Sequence, residues 1–211
     1  MPPEPPQPDP GENFSLSLAL ERFDAENSRD PNTEVAEGRA HPRELLYARR
    51  LSAWVARLCP APSEALQLAA RAQHLCRWMI PRSRYEMTRP GYHRWRTELR
   101  QFHAGRATEI LHDLHCSEDL IRRVQSLVLK QNFPADPESR VLEDALCLVF
   151  LEHQLAGLAA RTPADRVINA LRKSWMKMTP AARQAALALN YGPVEKALLD
   201  QALVEASSER T

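Results

Sequence analysis

The stretch ESRVLEDALCLVFLEHQLAGLAA, residues 138–160, decides the fold class. Between Val141 and Leu158 its apolar residues fall on nearly every side of a helix, and a helix apolar all round lies in the middle of a core. No run in the chain approaches the roughly 20 consecutive apolar residues that would span a bilayer. Glu143 and Asp144 sit inside this core helix. An unpaired buried carboxylate is costly, so at least one of the two must meet a cation, a metal ion or hydrogen-bond donors. An ion pair to an arginine would satisfy it structurally, and a catalytic role for Glu143 and Asp144 is the functional alternative.

The rest of the chain agrees with a helical reading. Of 211 residues, 44% are apolar and 26% charged, which is a globular composition. Six glycines among many Ala, Leu, Glu and Arg favour helices over strands, because those residues lose little rotamer freedom in a helix. No segment carries a clear alternation of period two. The expected architecture is all-α: a single domain of eight or nine helices over residues 13–206, between a disordered Pro-rich tail at 1–12 and a short tail at 207–211. Four cysteines without a CxxC pair are expected to be reduced, buried thiols. With no secretory leader at the start, they point to the cytoplasm.

Caps and periodicity place the elements. A first helix is expected over Phe14–Glu26, then a loop over Asn27–His41 rich in Asn, Asp, Glu and Gly. Pro42 opens a second helix with Leu45, Ala48, Leu51, Trp54, Val55 and Leu58 on its buried stripe. Ser63 caps a third helix running to about Met79. The next segment, Ile80–Tyr92, contains Pro81, Pro90 and Gly91 and is expected to be a loop. Further helices are expected over His93–Leu114, Ser117–Gln131, Pro137–Ala160, Thr162–Met178, a short one after Thr179-Pro180, and Val194–Ala206.

On the third helix, steps of three and four connect Glu64, Gln67, Arg71, His74 and Trp78 along one polar stripe. The following long helix repeats the pattern with Arg96, Arg100, His103 and Arg106. Two histidines on polar stripes of adjacent helices, with a buried carboxylate later in the chain, point to a shared site. His112, His115 and Cys116 lack a second ligand pair and read as a helix end whose histidines complement the C-terminal dipole.

The order Glu44, His74, His103, Asp144 resembles the His-Asp (HD) phosphohydrolase superfamily, an all-helical fold whose metal ligands follow one another as a histidine, a His-Asp pair and a late aspartate. The segment LAARAQHLCRW stands where that superfamily has its His-Asp pair, and LEDALCLVFLE resembles its late aspartate helix. Leu75 occupies the place of the paired aspartate, and Glu44 or Tyr47 that of the first histidine. The resemblance implies a divalent metal ion held by Glu44, His74, His103 and Asp144. A longer match runs from ELLYARRLSAW through RAQHLCRWMIPR, RPGYHRWRTELRQFHA and LEDALCLVFLEHQ, roughly Glu44–Gln154. Over it the chain resembles the family catalogued as domain of unknown function 4202, which implies no particular activity.

The net charge of +1 argues against bulk DNA or an anionic membrane as partner. Between Arg71 and Arg100, however, eight arginines face two acids, so this window is +6 and the remainder −5. Here Arg71, Arg77, Arg82, Arg84, Arg89 and Arg96 alternate with Trp78 and Tyr92. Guanidinium forks grip phosphate bidentately, and aromatic faces stack on bases or on guanidinium itself. Pairing of these arginines with the acidic remainder is the structural alternative. Three functions fit: a metal-dependent phosphohydrolase acting on a phosphorylated or nucleotide-like small molecule, a non-catalytic binder of an anionic metabolite or protein partner, and an RNA-binding module.

Overall fold

The computed structural model describes residues 15–208 and is all-helical apart from one small hairpin. The Pro-rich segment 1–12 lies outside the described residues. The chain divides into two compact units, one formed by residues up to Ser52 with Pro62–Asn132, the other by Ala53–Ala61 with the chain from Phe133 onward. The single helical domain expected over 13–206 thus contains two cores. Among the described residues no helix is long and apolar enough to cross a membrane.

In the first unit, Ser15 caps α1 (Leu16–Asn27) by accepting the Leu18 N–H. The expected loop after it is a two-stranded antiparallel hairpin, β1 (Thr33–Ala36) and β2 (Arg39–Pro42). Its two turn residues, Glu37 and Gly38, have φ of 51° and 73°. Two successive positive φ values match the twist of paired strands, and Glu37-Gly38 is a turn of that kind without the usual Asn or Asp. Next comes α2 (Arg43–Leu58), whose first part to Ser52 belongs to this unit. Ser63 caps α3 (Glu64–Ala72), Thr88 caps α4 (Arg89–Asp113) and Ser117 caps α5 (Glu118–Leu129). Phe23, Leu51, Leu66, Leu68, Leu75, Leu111, Ile121 and Leu127 are fully buried; each contributes roughly 1.5–3 kcal/mol by leaving water.

Two boundaries differ from the sequence reading, and both shape the site. The third helix stops at Ala72 rather than Met79. Its continuation is diverted because the buried Asn27 side chain accepts the Cys76 N–H, and Cys76 takes a left-handed φ of 55° before a 3-10 turn at Arg77–Met79. Conversely, α4 starts four residues before the expected His93. Pro90 falls in its first turn, where a missing N–H costs nothing, and Thr88 accepts the Gly91 N–H.

The second unit contains the remainder of α2, then α6 (Pro137–Val149), a π turn at Phe150–Gln154 and α7 (Leu155–Ala159). Read together these three form the long apolar helix expected from the sequence. Around them are α8 (Ala164–Lys177), α9 (Pro180–Leu187) and α10 (Pro193–Ser208). Thr179 caps α9 as expected, whereas Pro163 rather than Thr162 precedes α8, with no side-chain cap. Leu142, Leu148, Leu155 and Leu171 are fully buried here. Within the π turn, the Glu152 carboxylate accepts the Trp54 indole N–H at 2.7 Å.

Candidate functional site

The first turn of α2 projects Glu44 into the first unit, where it is 2% exposed. Its backbone N–H is held by the buried Asp30 carboxylate at 3.0 Å, which fixes the start of the helix. One carboxylate oxygen lies 3.0 Å from His74 Nδ1, and the other lies 3.7 Å from guanidinium nitrogens of both Arg77 and Arg43. His74 sits in the turn after α3, not on a helical stripe. Tyr47, one turn along α2 from Glu44, stacks on its ring with centroids 3.9 Å apart and planes within 10°. His103, from α4, is buried rather than on a polar stripe; its ring lies 6.0 Å from that of His74, and its Nδ1 lies 2.8 Å from the Leu75 carbonyl.

These contacts set the protonation states. Burial works against charge on Glu44, but the His74 hydrogen bond and the Arg77 and Arg43 guanidiniums prevail and hold its carboxyl below the ordinary range. Burial lowers His74 as well; Glu44 opposes this, while Arg77 and Arg96 add to the lowering. His103 is pushed down to about 3, chiefly by burial. Both imidazoles are therefore neutral near pH 7. A carbonyl can only accept, as can an ionised carboxylate, so Nδ1 carries the proton in both rings and Nε2 keeps its lone pair. An imidazole oriented in this way through Nδ1 by a carboxylate is suited to take up a proton at Nε2.

The depressed His103 value has a consequence for folding. The unfolded imidazole protonates near pH 6.5 and the folded one only near 3, so the contribution of neutral His103 to stability is complete above 6.5 and lost as pH falls toward 3. Urea unfolding measured from pH 7 to 4 should show stability dropping with acid. His103→Gln, which can still donate to Leu75, should flatten that slope; an unchanged slope would mean His103 is not its source.

The four residues expected to hold a metal belong to two different units. Glu44, His74 and His103 meet in the first unit, with three guanidiniums, those of Arg43, Arg77 and Arg96, acting on the Glu44–His74 pair. Asp144 belongs to the second unit, where its two oxygens accept the Thr179 backbone N–H at 2.9 Å and hydroxyl at 2.5 Å. Glu143 pairs with Lys177 at 3.0 Å. One member of the carboxylate pair thus meets a cation, Lys177, and the other meets the hydrogen-bond donors of Thr179. Among the described residues no group of three or more His, Cys, Asp or Glu side chains is placed to hold a metal ion. Guanidiniums on Glu44 and the Thr179 donors on Asp144 do not fit a divalent cation.

The arginine-rich window serves several separate ends. Arg71 holds Asp24 of α1 at 2.8 Å and the Ser52 hydroxyl at 3.0 Å, a structural tie. Arg82 is not a free loop arginine: its guanidinium donates to the carbonyls of Tyr85, Glu86 and Thr88 and fixes the path into α4. Arg84 is exposed and lines an open groove with Tyr85 and His93; Arg89 is exposed in the first turn of α4. Tyr92 lies against Trp95, whose indole N–H donates to Ile80. Trp78 lines a separate cavity with Met79 and Phe102. Of the expected ligand-binding residues, Arg77 pairs with Glu44, and Arg96 acts on His74 through its charge. Tyr47 and Asp30 complete the site; the first is spaced one helical turn from Glu44, and the second gave no sequence signal.

Fold and site together define an all-helical protein with an arginine-edged carboxylate–imidazole pair in its first unit. The family model described as Domain of unknown function (DUF4202) matches residues 17–199, and the chain belongs to that family. No curated protein and no solved structure matches the chain, so the His-Asp superfamily resemblance has no counterpart among them.

Proposed function

We propose that the Glu44–His74–His103 cluster binds the phosphate end of a small phosphorylated molecule, with His74 as the group that accepts a proton from it or from an attacking water. The observation that carries this reading is the carboxylate of Glu44 shared between His74 Nδ1 and Arg77. Two guanidiniums on one carboxylate, with the charge of Arg96 acting on His74, leave surplus positive charge for an anion, and Arg96 makes no ion pair or hydrogen bond among the described residues. Arg77 Nε is buried and also lacks a partner, so a donor is held ready without an acceptor. His74 keeps 16% of its side chain exposed, which gives a ligand access to the ring.

Titration with inorganic phosphate, followed by a phosphate-release screen over sugar phosphates and nucleotides, tests this. Arg96→Ala should weaken phosphate binding at least tenfold, and His74→Gln should remove turnover with little change in binding. Equal phosphate affinity in wild type and Arg96→Ala would sink the proposal. Binding without turnover in any substrate would leave the chain a carrier or sensor of the same anion.

A further inference from the structure

A second cavity of the first unit, of about 580 Å³, takes no part in the cluster around Glu44. Its apolar lining comes from Trp78, Met79 and Phe102, and its polar lining includes Glu26 and Arg106, with Gly105 between helical neighbours of α4. That volume and that mixture, apolar walls with a few convergent polar groups, are those of a small-molecule site.

The polar groups define the ligand's edge. Glu26 is bonded by Arg29 at 3.2 Å on one oxygen, and by Arg106 at 3.2 Å and the Cys76 thiol at 3.5 Å on the other. A carboxylate has about four acceptor sites, so one is left for a ligand donor. Arg106 donates one nitrogen to Glu26 and another to Glu109 at 2.7 Å, which leaves some of its five N–H groups for a ligand acceptor. Arg29 and Arg106 balance Glu26 and Glu109, so no charge is left over to attract an ion. Burial and Glu26 push the Cys76 thiol up to about 11, so it stays protonated and is no nucleophile.

We infer that this cavity binds an uncharged, flat heteroaromatic ring whose edge carries a hydrogen-bond donor beside an acceptor, the ring lying among Trp78, Met79 and Phe102 and the edge meeting Glu26 and Arg106. Adenine has that shape and edge and serves as the probe. Gly105 offers a clean test, because a Cβ built there meets no atom within 4 Å. Leucine at that position extends from a Cβ with open space around it, beside the cavity that Gly105 lines, and is the stronger helix former, so the fold is expected to be retained.

Isothermal titration of adenine into the full chain should give one-to-one binding, weakened at least tenfold by Gly105→Leu and several-fold by Glu26→Gln. Absence of binding to the wild-type chain at millimolar adenine, or equal affinity in Gly105→Leu, overturns the inference. Inorganic phosphate, the probe for the Glu44 cluster, should bind wild type and Gly105→Leu alike. A Gly105→Leu chain that loses both ligands has changed at the cluster and overturns the assignment of adenine to this cavity.

Discussion

Glu44→Ala is expected to destabilise the folded chain by about 3–5 kcal/mol, the range found when one partner of a buried ion pair is removed. Small and medium domains hold only about 5–15 kcal/mol in total, so the variant should be partly unfolded at moderate temperature. The loss has two sources. Arg77, whose Nε already lacks a partner, would lose its carboxylate, and the His74 Nδ1–H would lose its acceptor. Glu44→Gln should cost less, because its amide oxygen still accepts from His74. The check is urea unfolding of both variants at pH 7; a loss below about 1 kcal/mol for alanine would mean that water replaces the carboxylate and the pair is not a stabilising one.

Asp144→Ala should produce a loss of similar size, about 3–5 kcal/mol, by another route. Hydrogen bonds to a charged group contribute roughly 1.5–3 kcal/mol each, and this 4% exposed carboxylate accepts two from Thr179. Thr179 in turn caps α9 through the Ala182 N–H, so the loss extends to the helix start. Asp144→Asn keeps an acceptor for the Thr179 N–H and should lose only about half as much. Thermal melts of both variants separate the cases. An asparagine variant with wild-type melting temperature that sheds a bound divalent ion would restore Asp144 as a metal ligand, against the cap geometry.

Much of the fold was legible because caps and prolines are local signals. Ser63, Ser117 and Thr179 each stand beside the helix they start, and their hydroxyl oxygens accept a first-turn N–H. The failures are nonlocal. Helix α3 ends early because Asn27, 49 residues away in sequence, takes the Cys76 N–H. The hairpin was missed because Glu37-Gly38 lacks the residue type that usually marks such a turn, and four-residue strands alternate too briefly to show.

The site divides in the same way. The residue types at Glu44, His74 and His103 do meet, and their order in the chain pointed to them. The identity of their partners was invisible: Glu44 is shared with Arg77, which lies 33 positions further on, and Asp144 is satisfied by neutral donors of Thr179 rather than by a cation. Helical spacing tells which residues share a face, but not which neighbouring backbone amide or guanidinium that face will meet.

The π turn at Phe150–Gln154 bears on which lengths of chain this fold accepts. A single-turn π segment inside an α-helix holds one residue more than the regular helix would. Leu148 before it and Leu155 after it are both fully buried, so the extra residue is absorbed without turning either side away from its core. A relative one residue shorter between Val149 and Leu155 would then pass through this stretch as uninterrupted helix. It would align with a one-position gap and keep both leucines in place.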